Sequence, residues 1–165
     1  YELWAHDTSN ASTWEVADIW SGSGSSNPGQ YMGILVGDTL YFSATDGSSG
    51  TELRAHDTSN ASTWQVADIW SGISSSNPAS HMDAILVGGT SDFSADGGSS
   101  GYELWAHDTS NASTWRVADI NSGTSSSIPG QYMEILVGDT LYFSAYGSSG
   151  YELWAMDIEH SITYD

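Results

Sequence analysis

Histidine followed directly by aspartate is the side-chain pair in this sequence with the clearest capacity for chemistry. An imidazole that titrates near neutral pH can act as a general base or bind a metal, and a neighbouring carboxylate can orient it. Adjacent residues of a β-strand point to opposite faces, however, so the two side chains of one pair are not expected to converge. No nucleophile motif, HExxH motif or paired-acid motif accompanies them. We therefore predict no catalytic residues and a non-enzymatic protein. The pairs are His6–Asp7, His56–Asp57 and His107–Asp108.

Turns rich in Asp, Asn and Ser offer oxygen atoms of the kind that calcium binds. Calcium needs six to eight oxygen ligands, and these turns match neither the EF-hand spacing nor the glycine-rich calcium nonapeptide. We predict no other cofactor and retain calcium as a candidate. The candidate ligands are Asp7, Asn10, Asp57, Asn60, Asp108 and Asn111. The three asparagines also begin N-x-S sugar-acceptor tripeptides, so Asn10, Asn60 and Asn111 are candidate glycosylation sites.

Tryptophans at recurring positions are candidates for binding a ligand such as a sugar ring. One position holds tryptophan in three copies and Arg54 in the other, which indicates a partly hydrated site because a buried unpaired charge is costly. The alternative is packing between neighbouring sheets. A second position gives way to Asn121 and is expected at a rim, whereas Trp14, Trp64 and Trp115 are expected in the core. The candidate binding residues are Trp4, Arg54, Trp105, Trp154, Trp20 and Trp70.

An internal repeat positions all of these residues. Near-identical segments begin at Tyr1, Thr51, Tyr102 and Tyr151, a period of about fifty residues. We predict one repeat domain with copies at 1–50, 51–101 and 102–150, a partial copy at 151–157 and a tail at 158–165. Periods of this length are typical of propeller blades, helical repeats or the β-trefoil. Clusters of Gly, Ser, Asn and Asp every 8–12 residues favour short strands over helices.

Four strands per copy are predicted, for example at 32–36, 39–44, 52–56 and 63–69, with a further strand at 161–164. Short links between them predict an antiparallel meander, the strand order of a β-propeller blade. The apolar run at 32–36 would be the inner strand, buried on both faces, and 63–69 would be the outer edge. The alternatives are a β-trefoil, closed within one chain, and an open β-solenoid or filament.

Four segments in a fixed order carry a resemblance to a known family. ELWAHDTSN, TWxVADI, ILVGDTLYFSA and DGSSG resemble the ELWxxDGT repeat of large secreted or surface proteins of bacteria and archaea. This sequence departs from that pattern where Asp7-Thr8-Ser9 replaces Asp-Gly-Thr and where Met156 breaks the last copy. The resemblance implies β-propeller blades and an extracellular or cell-surface setting, but no reaction.

The charge balance excludes two classes of partner. The chain has 2 basic and 21 acidic residues, a net charge of −19, and no cysteine. Binding to nucleic-acid backbones or to anionic lipid needs several basic side chains, so neither is predicted. No apolar run approaches the length needed to span a membrane. The strong acidity suits a salty exterior, and the start at Tyr1 indicates a mature secreted product or a piece of a longer protein.

Three blades are too few to close a propeller, which usually has four to eight. Two chains would give a six-bladed ring, so the predicted partner is the protein itself, as a homodimer or a higher assembly. The predicted function is adhesion, scaffolding or self-assembly. The alternative is a carbohydrate-binding lectin with one equivalent site per repeat and glycans as partners.

Overall fold

The computed structural model describes residues 1–158, which form β-strands and turns and contain no helix. Within this range there is accordingly no helix with the length and hydropathy that a membrane crossing requires. The predicted strand at 161–164 lies outside the described residues. The strands are β1 Leu3–Asp7, β2 Ser12–Ala17, β3 Gly33–Val36, β4 Thr39–Thr45, β5 Thr51–Asp57, β6 Ser62–Ala67, β7 Ile85–Val87, β8 Thr90–Asp96, β9 Tyr102–Asp108, β10 Ser113–Ala118, β11 Glu134–Val137, β12 Thr140–Gly147 and β13 Gly150–Asp157.

The described strands pair in four separate antiparallel sheets. Sheet 1 is β1-β2, sheet 2 is β3-β4-β5-β6, sheet 3 is β7-β8-β9-β10 and sheet 4 is β11-β12-β13. Sheets 2 and 3 confirm the predicted four-stranded meander. The β-trefoil alternative requires strands of all copies to share a barrel, and no such pairing occurs among residues 1–158.

Each complete sheet combines the end of one sequence copy with the start of the next. Sheet 2 takes β3 and β4 from the first copy and β5 and β6 from the second. The chain divides into two compact units, with a boundary between Asn77 and Pro78. The N-terminal unit contains sheets 1 and 2, and the C-terminal unit contains sheets 3 and 4.

A β-bulge recurs in the last strand of sheets 1, 2 and 3. In sheet 1, Leu3 pairs with Ala17 and Trp4 pairs with Glu15, so Val16 has no cross-strand partner. The same shift occurs in the other two sheets. A bulge bends its strand and increases the local twist, so the outer strand of each repeat has the same curvature.

The prediction that the strand at 32–36 is buried on both faces is wrong. The predicted strand at 32–36 corresponds to β3, in which Leu35 is 61% exposed. The buried strands are β4 and β5, where Phe42 and Leu53 are inaccessible. The physical reason is that β3 is a short strand at the edge of its sheet, whereas β4 and β5 are paired on both sides.

The core of the C-terminal unit lies between sheets 3 and 4. Leu104 of sheet 3 is buried with Phe143 and Met156 of sheet 4. The remaining buried members are Met82, Leu141 and Ala145, and the partly buried side chains packed against them are Ile85, Val117, Ile120 and Trp154. The side of sheet 3 that carries Leu104 therefore packs on the side of sheet 4 that carries Phe143 and Met156.

Candidate functional site

Each complete sheet contains one buried glutamate that accepts hydrogen bonds from the loop after that sheet. The Glu52 carboxylate accepts from the backbone N of Ile69 at 2.8 Å. It also accepts from the N of Ser76 at 2.9 Å and from its Oγ at 2.6 Å. Glu103 accepts the same three kinds of bond from Ile120 and Ser127. Because both glutamates are fully buried, these carboxylates fix the loop and do not face a ligand.

The electrostatic environment of this glutamate differs between copies. Burial raises the pKa of Glu52 to about 7, although hydrogen bonds from Ser76 oppose the shift. Burial also raises the pKa of Glu103. Glu2 is less buried; its desolvation is outweighed by hydrogen bonds from Ser26 and from backbone groups, so its pKa is lowered. Glu152, in the partial copy, is exposed.

Sequence reasoning missed these glutamates. From its residue type alone, a glutamate is predicted to lie on the surface, since Glu is rarely fully buried. The available signal was its recurrence directly before leucine with a serine 24 positions later, as in Glu52 and Ser76.

The three histidines of the His–Asp pairs each contact a threonine of the neighbouring strand. Nδ1 of His6 lies 2.7 Å from Oγ1 of Thr13, its cross-strand partner. His56 and His107 make the equivalent contact at 2.8 Å, to Thr63 and Thr114. Burial lowers the pKa of His107, which favours a neutral ring there. In three copies the imidazole thus contacts a threonine across the strands of its own sheet.

The paired aspartates close their own turns. Oδ1 of Asp7 accepts from the N of Ser9 at 2.8 Å and from its Oγ at 2.6 Å. Oδ2 accepts from Nδ2 of Asn10 at 2.8 Å, and Oδ1 of Asn10 accepts from the N of Ser12. The other two turns repeat this pattern. Hydrogen bonds from the serines lower the pKa of Asp7, Asp57 and Asp108.

The candidate calcium ligands and glycosylation sites lie in these turns. The oxygen atoms of Asp7, Asp57 and Asp108 already accept hydrogen bonds from the turn, as do those of Asn10, Asn60 and Asn111. Residues 1–158 contain no group of three or more His, Asp or Glu side chains able to hold a metal ion. The asparagines are exposed, and their glycosylation stays a prediction.

The recurring Trp/Arg position does not present one equivalent exposed surface per repeat. Trp4 is 58% exposed, whereas Trp105 and Trp154 are half-buried and Arg54 is buried. The expected hydration is therefore wrong for Arg54. Its Nη2 donates to Oδ2 of Asp46 at 2.6 Å and to Oε1 of Gln65 at 3.1 Å, so the buried charge is paired.

Tryptophans on the outer strand are more exposed than expected. Trp14 is 48% exposed and Trp64 is 40% exposed, while Trp115 is half-buried, so their assignment to the core is wrong. The reason is that β2 and β6 are edge strands. Trp20 is 37% exposed and packs over Gly24 and Gly47, where a Cβ atom would clash with the ring. The corresponding Trp70 is half-buried.

A cavity of about 460 Å³ lies between sheets 1 and 2 of the N-terminal unit. Two of the exposed tryptophans, Trp4 and Trp14, border it, and the ring of His56 is its one imidazole. Such a cavity can accept an apolar or aromatic face, because most of its walls are hydrocarbon. The other lining residues are Leu3, Ala5, Val16, Leu40, Thr58 and Ala61.

Comparisons with known proteins yield distant structural likenesses but no sequence match. No protein-family model matches the sequence. No curated protein sequence matches it either. A solved structure described as a TolB from Agrobacterium tumefaciens is similar over 76% of this chain, with a TM-score of 0.42 and 12% sequence identity. The chain spans 43% of that protein's length.

Proposed function

We propose that this chain is a non-enzymatic repeat module of the ELWxxDGT type, in which each four-stranded sheet is a β-propeller blade. The observation that carries the proposal is that sheets 2 and 3 repeat one strand order and one buried glutamate, Glu52 or Glu103. Propellers are built by repeating four-stranded units of this kind. The module serves adhesion, scaffolding or self-assembly at the cell surface or outside the cell.

The side chains with acid–base capacity support a structural role. The same histidine–threonine contact and the same aspartate-closed turn occur in three copies. An enzyme needs one site in which different groups converge on a substrate, and identical copies do not create one.

Incomplete sheets support an assembly of more than one chain. Sheet 1 has two strands and sheet 4 has three among the described residues, whereas the complete sheets have four. Exposed strand edges favour pairing with further strands. Two chains with three blades each would form a six-bladed ring.

Light scattering coupled to size-exclusion chromatography tests this assembly. A mass near twice 17.6 kDa is expected for a two-chain ring, and much larger species would indicate a filament. The measurement is repeated at low and high NaCl concentration, because a net charge of −19 opposes association at low salt. A mass of 17.6 kDa at every concentration and salt would contradict the assembly role.

A second candidate function is carbohydrate binding, favoured by Trp4 and Trp14 at the rim of the cavity in the N-terminal unit. Tryptophan faces stack on apolar faces of ligands. Glycan-array binding and tryptophan quenching test it. Trp14→Ala should abolish the response, and Trp64→Ala, at the same strand position but away from the cavity, should retain it. A flat response to a broad sugar panel would exclude this candidate.

A further inference from the structure

Sheet 4 exposes an apolar face whose equivalent in sheet 3 is buried. Leu153 is 66% exposed, whereas Leu104 at the same repeat position is inaccessible. Met133 is 40% exposed, whereas the corresponding Met82 is inaccessible. We call this surface the Leu153 face; it consists of Met133, Ile135, Val137, Tyr142 and Leu153, none of which is charged.

The C-terminal unit shows what covers such a face. Leu104 of sheet 3 and Met82 of the loop before it pack against the side of sheet 4 that carries Phe143, Trp154 and Met156. By analogy, the Leu153 face is expected to pack against the tryptophan-bearing side of another sheet built from the same sequence repeat.

Sheet 1 leaves that tryptophan-bearing side uncovered. Trp4 and His6 occupy the repeat positions of Trp154 and Met156 and pair across the strands with Glu15 and Thr13. Trp4 is 58% exposed and His6 is exposed, while Met156 is inaccessible. We call this surface the Trp4 face; it consists of Trp4, His6, Thr13 and Glu15.

We propose that the Leu153 face of one chain binds the Trp4 face of a second copy of this chain. This inference rests on the proposed function, since it names the partner and the surfaces of the assembly. The contact repeats the packing of Leu104 against the Trp154 side within the C-terminal unit. Among the side chains that define the two faces only Glu15 is a carboxylate, and Asp157 lies at the margin of the Leu153 face, opposite Thr140. In a chain of net charge −19, few like charges therefore meet across the contact. Because the two surfaces differ, the interface is heterologous and leads to a ring or a filament.

A matched pair of substitutions tests the Leu153 face. Leu153→Glu places a carboxylate on the face, opposite Trp4 and Glu15 of the second copy. Ile73→Glu adds the same charge at a side chain that is 86% exposed and lies on neither face. The dissociation constant from sedimentation velocity should rise at least about tenfold for Leu153→Glu and stay unchanged for Ile73→Glu.

Mixing two defective variants tests the pairing of the faces. Leu153→Glu retains an intact Trp4 face, and Trp4→Glu retains an intact Leu153 face. Each variant alone should have a mass of 17.6 kDa, and the mixture should form a species of twice that mass. The mixture also controls for folding, because an unfolded variant could not restore association.

The outcomes separate this inference from the proposed function. If the unmodified chain assembles and Leu153→Glu assembles equally well, the assembly role stands and the docking faces are wrong. If the mixture fails to associate, or if Trp4→Glu has no effect, the heterologous contact is wrong. If the unmodified chain stays at 17.6 kDa even in high salt, both proposals fail.

Discussion

Single buried polar side chains hold each repeat in one arrangement. Besides the glutamates, a serine in the second strand of each complete sheet accepts backbone hydrogen bonds from the preceding loop. Oγ of Ser43 accepts from Tyr31 and Met32, and Oγ of Ser94 accepts from His81 and Met82. Buried polar groups with satisfied partners are costly to remove, so these residues determine how the loop meets the sheet.

Glu52→Gln is expected to lower the free energy of unfolding by about 1–3 kcal/mol, because one amide NH₂ would face a hydrogen-bond donor at Ser76 or Ile69. Urea unfolding followed by tryptophan fluorescence measures the change. Glu152→Gln is the matched control: this residue is exposed, so its substitution should change stability by less than about 0.5 kcal/mol. Equal effects of the two substitutions would contradict the structural role of Glu52.

The buried glutamates predict an unusual pH dependence. The pKa of Glu52 is about 7 in the folded chain and 4.5 ordinarily, so the folded chain holds a proton that the unfolded chain releases between these values. This group alone therefore makes the free energy of unfolding fall as pH rises from 4.5 to about 7. Burial lowers the pKa of His81 and His107, so these two groups act in the opposite sense as the pH falls below the ordinary histidine value of 6.5. The lowered pKa values of Asp7, Asp57 and Asp108 act in the opposite sense, since their contribution is lost as the pH falls below the ordinary aspartate value of 3.8.

Urea midpoints measured across this pH range check the prediction. The unmodified chain should lose more stability than Glu52→Gln as pH rises from 4.5 to about 7. Glu52→Gln should remove this part of the pH dependence and leave the contributions of Glu103 and Glu134, whose pKa values burial also raises, and those of the two histidines. A curve that keeps its slope in this variant would show that general charge repulsion causes the decline.

Ser91→Ala is expected to raise the free energy of unfolding by about 1 kcal/mol, because the Ser91 hydroxyl is buried and its Oγ has no hydrogen-bond partner among the described residues. Ser94→Ala, in the same strand, removes an acceptor for two backbone N–H groups and should lower it by about 1–3 kcal/mol. Thermal and urea unfolding of the two variants show whether the free energy of unfolding rises in Ser91→Ala and falls in Ser94→Ala. A loss of stability in both variants would refute the assignment for Ser91.

At the scale of strands and turns, the sequence pattern predicts local structure better than burial. The alternation of 39–44 predicted β4, and the Asp and Asn side chains predicted the turns that follow the third strands. The exposure of Trp14 and of Leu35 was not predicted. An apolar run has the same pattern in a central strand and in an edge strand, so periodicity cannot distinguish them.

The turn after the third strand contains a strained alanine in three copies, at Ala11, Ala61 and Ala112. Ala61 has φ of +59°, in the left-handed region that costs an L-residue about 1–2 kcal/mol. Ala61→Gly should therefore raise the melting temperature, with a net gain of about 0.5–1 kcal/mol after the extra entropy of glycine. Ala67→Gly, at the end of β6 and with no positive φ, is the control and should be destabilising. If Ala61→Gly and Ala67→Gly both lower the melting temperature, the backbone at Ala61 is not strained.

At the scale of the whole molecule, charge is predictable from sequence and exposure is not. The net charge of −19 follows from counting residues. The difference between Leu104 and Leu153 does not, because the same residue in the same motif is buried or exposed according to which sheet lies beside it. The buried glutamates escaped prediction for a related reason, since their partners lie 24 residues away in a loop.

Raising the NaCl concentration from about 10 mM to about 500 mM is expected to increase the melting temperature by several degrees, because added ions screen repulsion among the carboxylates. Differential scanning calorimetry measures the change, with KCl at equal ionic strength as the control for specific sodium effects. A larger increase with CaCl₂ at the same ionic strength would support the calcium prediction. An unchanged melting temperature would show that self-repulsion does not limit stability.

The composite origin of each sheet bears on how such a gene can change. Sheet 2 joins β3 and β4 of one sequence copy to β5 and β6 of the next. Unequal recombination between two copies, at any equivalent pair of codons, therefore restores the same succession of strands. Copy number can expand or contract in descendants without a new junction having to be selected for folding.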